Sequence, residues 1–223
     1  MMKGLAIACV FALAACGSGR NLVMERALED LTEDILGGDA ADDAPARALG
    51  RAEIEAANRP AILARLVGDS SVTVLYQATA NGPYDSYISE LGQTLVLHGH
   101  LVTGTRGLGY DLLSVATSRN DPVVRPTPLS NWPQTVNRTY EFPAFSAQGR
   151  METYRCIFEL GDASEAVILG RRHTGIEVSE TCSGPDGTFE NLHLVDPGSG
   201  LIWRSLQWTG PDVALIDLQI VAR

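Results

Sequence analysis

From residue 71 to the end of the chain, apolar and polar residues alternate with a period of two. The last segment shows it most plainly: Ala214, Ile216, Leu218 and Ile220 fall on one face, with Asp217 and Gln219 on the other. Such alternation marks antiparallel strands with one dry and one wet face. The same criterion marks strands over 72–79, 84–90, 93–98, 101–105, 112–117, 137–145, 152–160, 166–172, 177–182, 189–195, 201–208 and 213–221. Turns fall at Asn81-Gly82, His98-Gly99, Asp186-Gly187 and Gly198 to Gly200. Residues 118–136 hold Pro122, Pro126, Pro128 and Pro133, which exclude a continuous strand and predict a long irregular crossing. The expected architecture is mostly β: a large antiparallel meander sheet curled into a half-barrel or sandwich, with a short N-terminal helical segment.

Ahead of residue 71 the period is 3.6. Leu22, Val23, Ala27, Leu28, Leu31, Ile35 and Leu36 form a helical stripe, capped by Asn21 and ended by Gly37-Gly38. The opposite face carries Glu25, Glu29, Asp30, Glu33 and Asp34 against Arg26 alone. Acids four apart repel, and acids in the last turn oppose the helix dipole. Such a helix is poor alone and poor on an anionic membrane, so it is expected to dock on a partner or on its own domain. Residues 37–50 form a flexible acidic linker. A short helix at 52–58 must stop at Arg59-Pro60.

The first fifteen residues differ from all that follows. A short positive start leads into an apolar run of twelve at 4–15, ending Leu13-Ala14-Ala15-Cys16. This is the pattern of a secretory signal, too short to span a bilayer. The chain therefore divides into a signal (1–15), an anchor, helix and acidic linker (16–50) and a β-domain (51–223). Cleavage would leave 208 of the 223 residues and remove Lys3, the one lysine. What remains is 16 arginines against 27 acids, a net charge of −11. That balance excludes sequence-independent nucleic-acid binding, which needs a basic footprint, and a polybasic membrane patch.

Of four cysteines, Cys9 lies in the signal and Cys16 follows Leu-Ala-Ala. The latter resembles the bacterial lipobox, whose cysteine is diacylated and becomes the N-terminus; two or more acyl chains hold a membrane where one does not. Gly17 in place of Asp directs the product to the outer membrane by the same resemblance, on the periplasmic face. Cys156 and Cys182 remain as an even pair in an oxidising compartment, the usual setting of a disulfide. The bond would close a loop of roughly 27 residues, worth roughly 3.5 kcal/mol. Were 151–182 a flat three-stranded meander, the outer strands would lie about 9.6 Å apart, beyond the roughly 7 Å a disulfide tolerates between Cα atoms. The bond thus predicts a curled sheet or a crossing between layers.

Nucleophile elbows, HExxH, Walker and dinucleotide motifs are absent from the sequence, so neither catalysis nor a cofactor is expected. GTRGLG at 104–109 leads into a strand and is predicted to be a turn. His98 and His100 flank Gly99, which suggests exposed residues at a hairpin tip; a zinc site would need a third ligand such as His193. Trp203 and Trp208 lie five apart on one strand, which points them to opposite faces, one in the core and one exposed or interfacial.

ANRPAI at 57–62, LVTGTRGLGYDLLS at 101–114, FENLHLVDPGSGLIWRSLQWTGP at 189–211, the lipobox and the two later cysteines together resemble the YjbF/GfcB lipoproteins of exopolysaccharide and group 4 capsule gene clusters. That resemblance implies a meander sheet curled on itself, reminiscent of outer-membrane lipoprotein carriers, and no catalytic residues. It points to a non-catalytic outer-membrane lipoprotein supporting exopolysaccharide or capsule assembly or export. The alternative is a carrier or acceptor of lipid or lipoprotein with an apolar cavity inside the curled sheet. The candidate binding residues lie in its two most specific segments: Arg106 and Asp111, then Asn191, Asp196, Trp203, Arg204, Gln207 and Trp208. Protein partners of an export system are favoured over direct binding of an acidic polysaccharide, which a charge of −11 repels within the screening length of about 8 Å.

Overall fold

A computed structural model describes residues 50–144, 149–211 and 213–222. The predicted signal, Cys16, the 21–36 helix and the linker up to residue 49 lie outside the described residues. A short helix, α1 (Arg51–Ala56), leads into β1 (Ala61–Leu66), β2 (Thr73–Asn81), β3 (Tyr84–Ile88), β4 (Thr94–His98) and β5 (Leu101–Arg106). After β6 (Ser114–Thr117) comes the irregular crossing, relieved by one 3-10 turn at Leu129–Asn131. The chain continues through β7 (Thr135–Phe142), β8 (Arg150–Ile168), β9 (Arg171–Gly184), β10 (Gly187–Val195), β11 (Ile202–Gly210) and β12 (Ala214–Ala222). All twelve strands form one antiparallel sheet in the order β5-β4-β3-β2-β1-β12-β11-β10-β9-β8-β7-β6.

The sheet curls until its two edges meet, forming an almost closed barrel. At the seam the Thr105 N–H donates to the Leu112 carbonyl at 2.9 Å. Further along β5, the Val102 N–H donates to Gln207 Oε1 at 3.0 Å, and the Gln207 Nε2 donates to the His100 carbonyl at 2.8 Å. A side chain from β11 thus completes the hydrogen bonding of an edge strand across the barrel. Inside, one apolar cluster fills the β6–β10 half, with Tyr140, Phe142, Tyr154, Phe158 and Phe189 among its members. A second fills the β1–β5 and β12 half around Ile62, Leu75, Leu95, Leu97 and Leu218.

Two features depart from the strand pattern of the sequence. β1 carries no alternation because both its faces are covered: Ile62 and Ala64 face the inner cluster, while Ala61 and Leu63 face an outer one with Ile54 of α1. The segment 166–172 is not one strand: β8 runs on past 160 to Ile168, the chain turns at Leu169-Gly170, and β9 runs from Arg171 through 177–182, so that the two form one long hairpin. A bulge between Leu160 and Ala163 bends it, and its far half folds over the outer face, where Ala166 and Ile168 join Leu194 and Val221. The hairpin also changes the geometry of the disulfide. Cys156 and Cys182 are bonded as direct register partners on adjacent strands, with Cα atoms 3.9 Å apart. The bond therefore requires neither curl nor layer crossing, because β8 and β9 are neighbours.

The crossing at 118–134 closes one end of the barrel, with Val123, Val124 and Leu129 buried. It is held against two turns by close backbone approach. The His100 N–H donates to the Val123 carbonyl at 2.9 Å, and the Leu129 N–H to the Pro197 carbonyl at 3.0 Å. Gly99 and Gly200 sit at these contacts with φ of +62° and +74°, and a Cβ on either would lie 2.3 Å from the Val124 oxygen or 2.0 Å from the Thr127 oxygen. Only glycine tolerates both the dihedral and the approach.

Candidate functional site

Alternation along β7 sends Val136, Arg138, Tyr140 and Phe142 inward. Arg138 is fully buried, and it is the centre of a polar belt across the barrel. Its Nε and Nη2 donate to Asp121 Oδ2 and Oδ1 at 2.7 and 3.1 Å, and its Nη1 donates to Glu180 Oε2 at 2.9 Å. The same Nη1 lies 2.8 Å from Glu180 Oε1, an ion-pair approach without hydrogen-bond alignment. Asn191 Nδ2 donates to Glu180 Oε2 at 2.8 Å, and His193 Nε2 lies 3.2 Å from the same oxygen. Asp121 belongs to the crossing and also accepts from Thr117 Oγ1 and the Val123 N–H, so the belt ties the barrel's end cap to its wall.

Burial alone would raise the Glu180 carboxyl, but Arg138, together with His193 and Asn191, brings it down to about 2. Burial likewise opposes the charge of Arg138, and Glu180 and Asp121 overcome it, raising the guanidinium above its usual range. Burial, against the pull of Arg138, pushes the Tyr140 phenol up to about 12. Glu180, Cys156 and Cys182 present their donor atoms within 4.8 Å of one another. The two sulfurs are bonded to each other, however, so this trio offers no thiolates to a metal.

The eight residues singled out from the sequence do not converge on one groove. Asp111 accepts from Thr105 Oγ1 and from the N–H groups of Gly107 and Leu108 at 2.9 to 3.1 Å. Arg106 donates to the Thr105 and Leu112 carbonyls; both residues therefore shape the β5–β6 seam. Asp196 lies in the β10–β11 turn at the capped end, where the Ser199 hydroxyl and N–H, both at 2.7 Å, hold its carboxyl below the usual range. Asn191 and Gln207 face the interior. Arg204 is on the outer face, bound to Asp217 through two contacts of 2.9 Å.

Trp203 and Trp208 do separate onto opposite sides, yet neither is exposed. Trp203 packs on His173 under the β8–β9 arm, ring centroids 4.2 Å apart. Beyond Leu192 and Leu206 the β10–β11 pairing stops, and the Trp208 N–H donates instead to Asn191 Oδ1 at 2.7 Å. There the Trp208 ring joins the inner aromatics, stacked on Phe189 at 4.1 Å. His100, expected at an exposed tip, is in the turn but 1% exposed, because the crossing covers it. His98 rests on Tyr84, ring centroids 5.0 Å apart.

Sequence inspection missed Arg138, Asp121 and Glu180. The signal available was charge at an inward strand position: Arg138 lies between Val136 and Tyr140, and Glu180 between Val178 and Cys182. A charge on the dry face of a strand must be paired.

Against known proteins, no curated sequence gives a significant match. Among solved structures, the hypothetical lipoprotein YmcC from Escherichia coli (K12) is similar, with a TM-score of 0.66 and 18% identity over 92% of this chain and 98% of that one; at that identity the likeness is one of fold. The family model described as group 4 capsule polysaccharide lipoprotein GfcB, YjbF matches residues 28–221. With that match spanning most of the chain, this protein belongs to the YjbF family of group 4 capsule polysaccharide lipoproteins.

Proposed function

We propose that this chain is a non-catalytic lipoprotein, anchored through Cys16 to the periplasmic face of the outer membrane, that supports assembly or export of a capsule or exopolysaccharide by binding a protein partner of the export system. Family membership supports the polysaccharide context. The observation that carries the binding role is the use of polar groups: Arg138, Glu180, Asn191, Arg204 and Gln207 are all engaged with other side chains of the barrel or with backbone. They build a rigid scaffold, which leaves the outer surface for recognition.

The carrier alternative draws on the curled sheet, but two apolar clusters occupy its interior. The cleft at the rim, lined by Leu66, Leu75, Leu95, Leu108 and Ile216, measures about 60 Å³. Sites for drug-sized ligands begin at about 300 Å³, so this volume favours the scaffold over a lipid carrier. The test is replacement of the native protein by Cys16→Ser in the producing cell. Loss of radioactive palmitate label, release from the membrane fraction and loss of surface polymer are expected. Normal export by a soluble, unlabelled variant would reject the anchored role, and glycan hydrolysis by the purified wild-type protein would reject the non-catalytic one.

A further inference from the structure

In an antiparallel meander alternate strands run the same way, so β1, β3 and β5 all finish at one end of the barrel. The loops that follow them, 67–72, 89–93 and 107–113, gather there, opposite the Gly99-His100 turn that the crossing covers. Between them opens the cleft of about 60 Å³, walled by Leu66, Leu75, Leu95, Leu108 and Ile216. That is room for about four groups of water size, matching the four carbons of a leucine side chain and far short of an acyl chain. Two apolar side chains flank it. Leu91, at the tip of the β3–β4 turn, is 85% exposed, and Val72, between the cleft residues Ser71 and Thr73, is 54% exposed. The turn that carries Leu91 is firmly tied. The Ser89 N–H donates to the Gln93 carbonyl at 2.9 Å, the Gly92 N–H to the Ser89 carbonyl at 3.0 Å, and the Gln93 N–H to the Ser89 hydroxyl oxygen at 3.1 Å. Gly92 closes it at a φ of +79°, which glycine adopts without strain. Leu91 is thus fixed in water beside an apolar hollow.

We propose that this open end docks a basic segment of a protein partner: one aliphatic side chain of the segment enters the cleft between Leu91 and Val72, and Lys or Arg residues beside it meet an acidic rim. The inference rests on the protein-binding reading above and gives that partner a place and a chemistry. Charge complementarity selects the occupant. Asp69 and Glu90 are exposed on the same two turns as Val72 and Leu91, and neither carboxylate makes an ion pair among the described residues. The arginines at this end are engaged: Arg65 pairs with Asp217 at 3.5 Å, and Arg106 donates to the Thr105 and Leu112 carbonyls. An anionic rim around an apolar pocket favours a cationic partner and disfavours the anionic surface of a bilayer. A single apolar anchor seated in a pocket and ringed by water-excluding contacts is the arrangement that concentrates binding energy at protein interfaces.

Methyl NMR on the full chain in a neutral detergent tests this with three peptides: Gly-Lys-Lys-Leu-Lys-Lys-Gly, the same with alanine for leucine, and the same with glutamate for every lysine. The leucine peptide should shift the methyls of Leu66, Leu75, Leu95, Leu108 and Leu91 together. The alanine and glutamate peptides should bind more weakly by about tenfold or more. Ala64→Met, which fills the cleft from its inner wall, and Leu91→Ser should each weaken the leucine peptide by about fivefold or more, with hydrogen exchange in β8–β9 as in the wild type. Unmoved cleft methyls at millimolar peptide, or equal binding of the leucine and alanine peptides, would overturn the proposal. So would the same shifts produced by vesicles of phosphatidylethanolamine and phosphatidylglycerol, which would assign the cleft to the bilayer. In the producing cell, Leu91→Ser should lower surface polymer while the protein keeps its palmitate label. Normal export by Leu91→Ser beside lost export by Cys16→Ser would overturn this docking site and leave the anchored scaffold standing.

Discussion

Replacing Arg138 by Met keeps the length of the side chain and removes its charge. Three charge-assisted hydrogen bonds disappear, leaving Asp121 and Glu180 buried together with no exposure at all. Breaking a buried ion pair from one side costs about 3–5 kcal/mol. A second route gives a similar figure. The Glu180 carboxyl sits at about 2 against an ordinary 4.5, and at 1.36 kcal/mol per unit this favourable environment is worth roughly 3 kcal/mol. Against a total stability of about 5–15 kcal/mol, the loss is large. Urea unfolding under non-reducing conditions, followed by the fluorescence of the core-packed Trp208 and Trp132, measures it. With a slope near 2 kcal/mol/M, the midpoint should fall by about 1.5–2.5 M. Adding Glu180→Gln and Asp121→Asn to Arg138→Met should restore half or more of that drop, because the uncompensated charges go with them. A single variant within about 0.3 M of the wild type would refute the claim that the belt is a buried, charged network.

The same belt sets an acid limit. Because the folded-state carboxyl of Glu180 is depressed, its stabilisation is complete above pH 4.5 and is lost as pH falls toward about 2; urea midpoints measured from pH 6 to 2.5 should decline through that window, and Glu180→Gln should flatten the decline. Gln207→Leu strands the Val102 N–H and the His100 carbonyl, at about 1–3 kcal/mol each, and hydrogen exchange should rise tenfold or more in β5 with β8–β9 unchanged. Cys156→Ala with Cys182→Ala should lower stability by about 3–4 kcal/mol, and wild-type protein yielding two free thiols on unfolding would contradict the bond. Gly200→Ala forces a Cβ into the Thr127 backbone and should expose the end cap to proteolysis near residue 127 before any site in β7–β9; an unchanged cleavage pattern would show that the turn yields freely.

Alternation made most strands legible, because most of them bury one face only. It failed at β1, where AILARL is covered on both sides and so looks like no period at all. It failed again along β8 and β9, where Gly161 and Gly175 look like breaks. In the folded chain both glycines let backbone pass close: a Cβ on Gly175 would lie 2.6 Å from the Val195 oxygen, and one on Gly161 would lie 3.2 Å from the Glu177 oxygen. Curling was anticipated from the disulfide for a reason the hairpin removes, although the sheet does curl. The candidate residues were chosen by type within two segments, and type alone cannot say which face of a strand is dry. Arg204 and Gln207 point to opposite sides of β11, while Arg138, outside both segments, holds the interior together. The distance between Asp121 and Glu180 in sequence hid their shared partner.

The first and last strands of this sheet lie side by side in its middle, with Leu66 opposite Ile216 and Ala61 opposite Ala222. Everything else pairs with its sequence neighbour. The two halves, β1–β5 and β6–β12, can therefore zip up as successive hairpins with low loop-closure entropy. A single ladder spanning roughly 150 residues then joins them, and it is the slow, non-local step. A chain truncated before residue 214 would lack β12 and carry two half-sheets with raw edges at β1 and β11. Such edges invite aggregation and proteolysis. The topology thus makes β12 the keystone of the sheet: without it the two halves have no shared ladder, and the edges of β1 and β11 stay open.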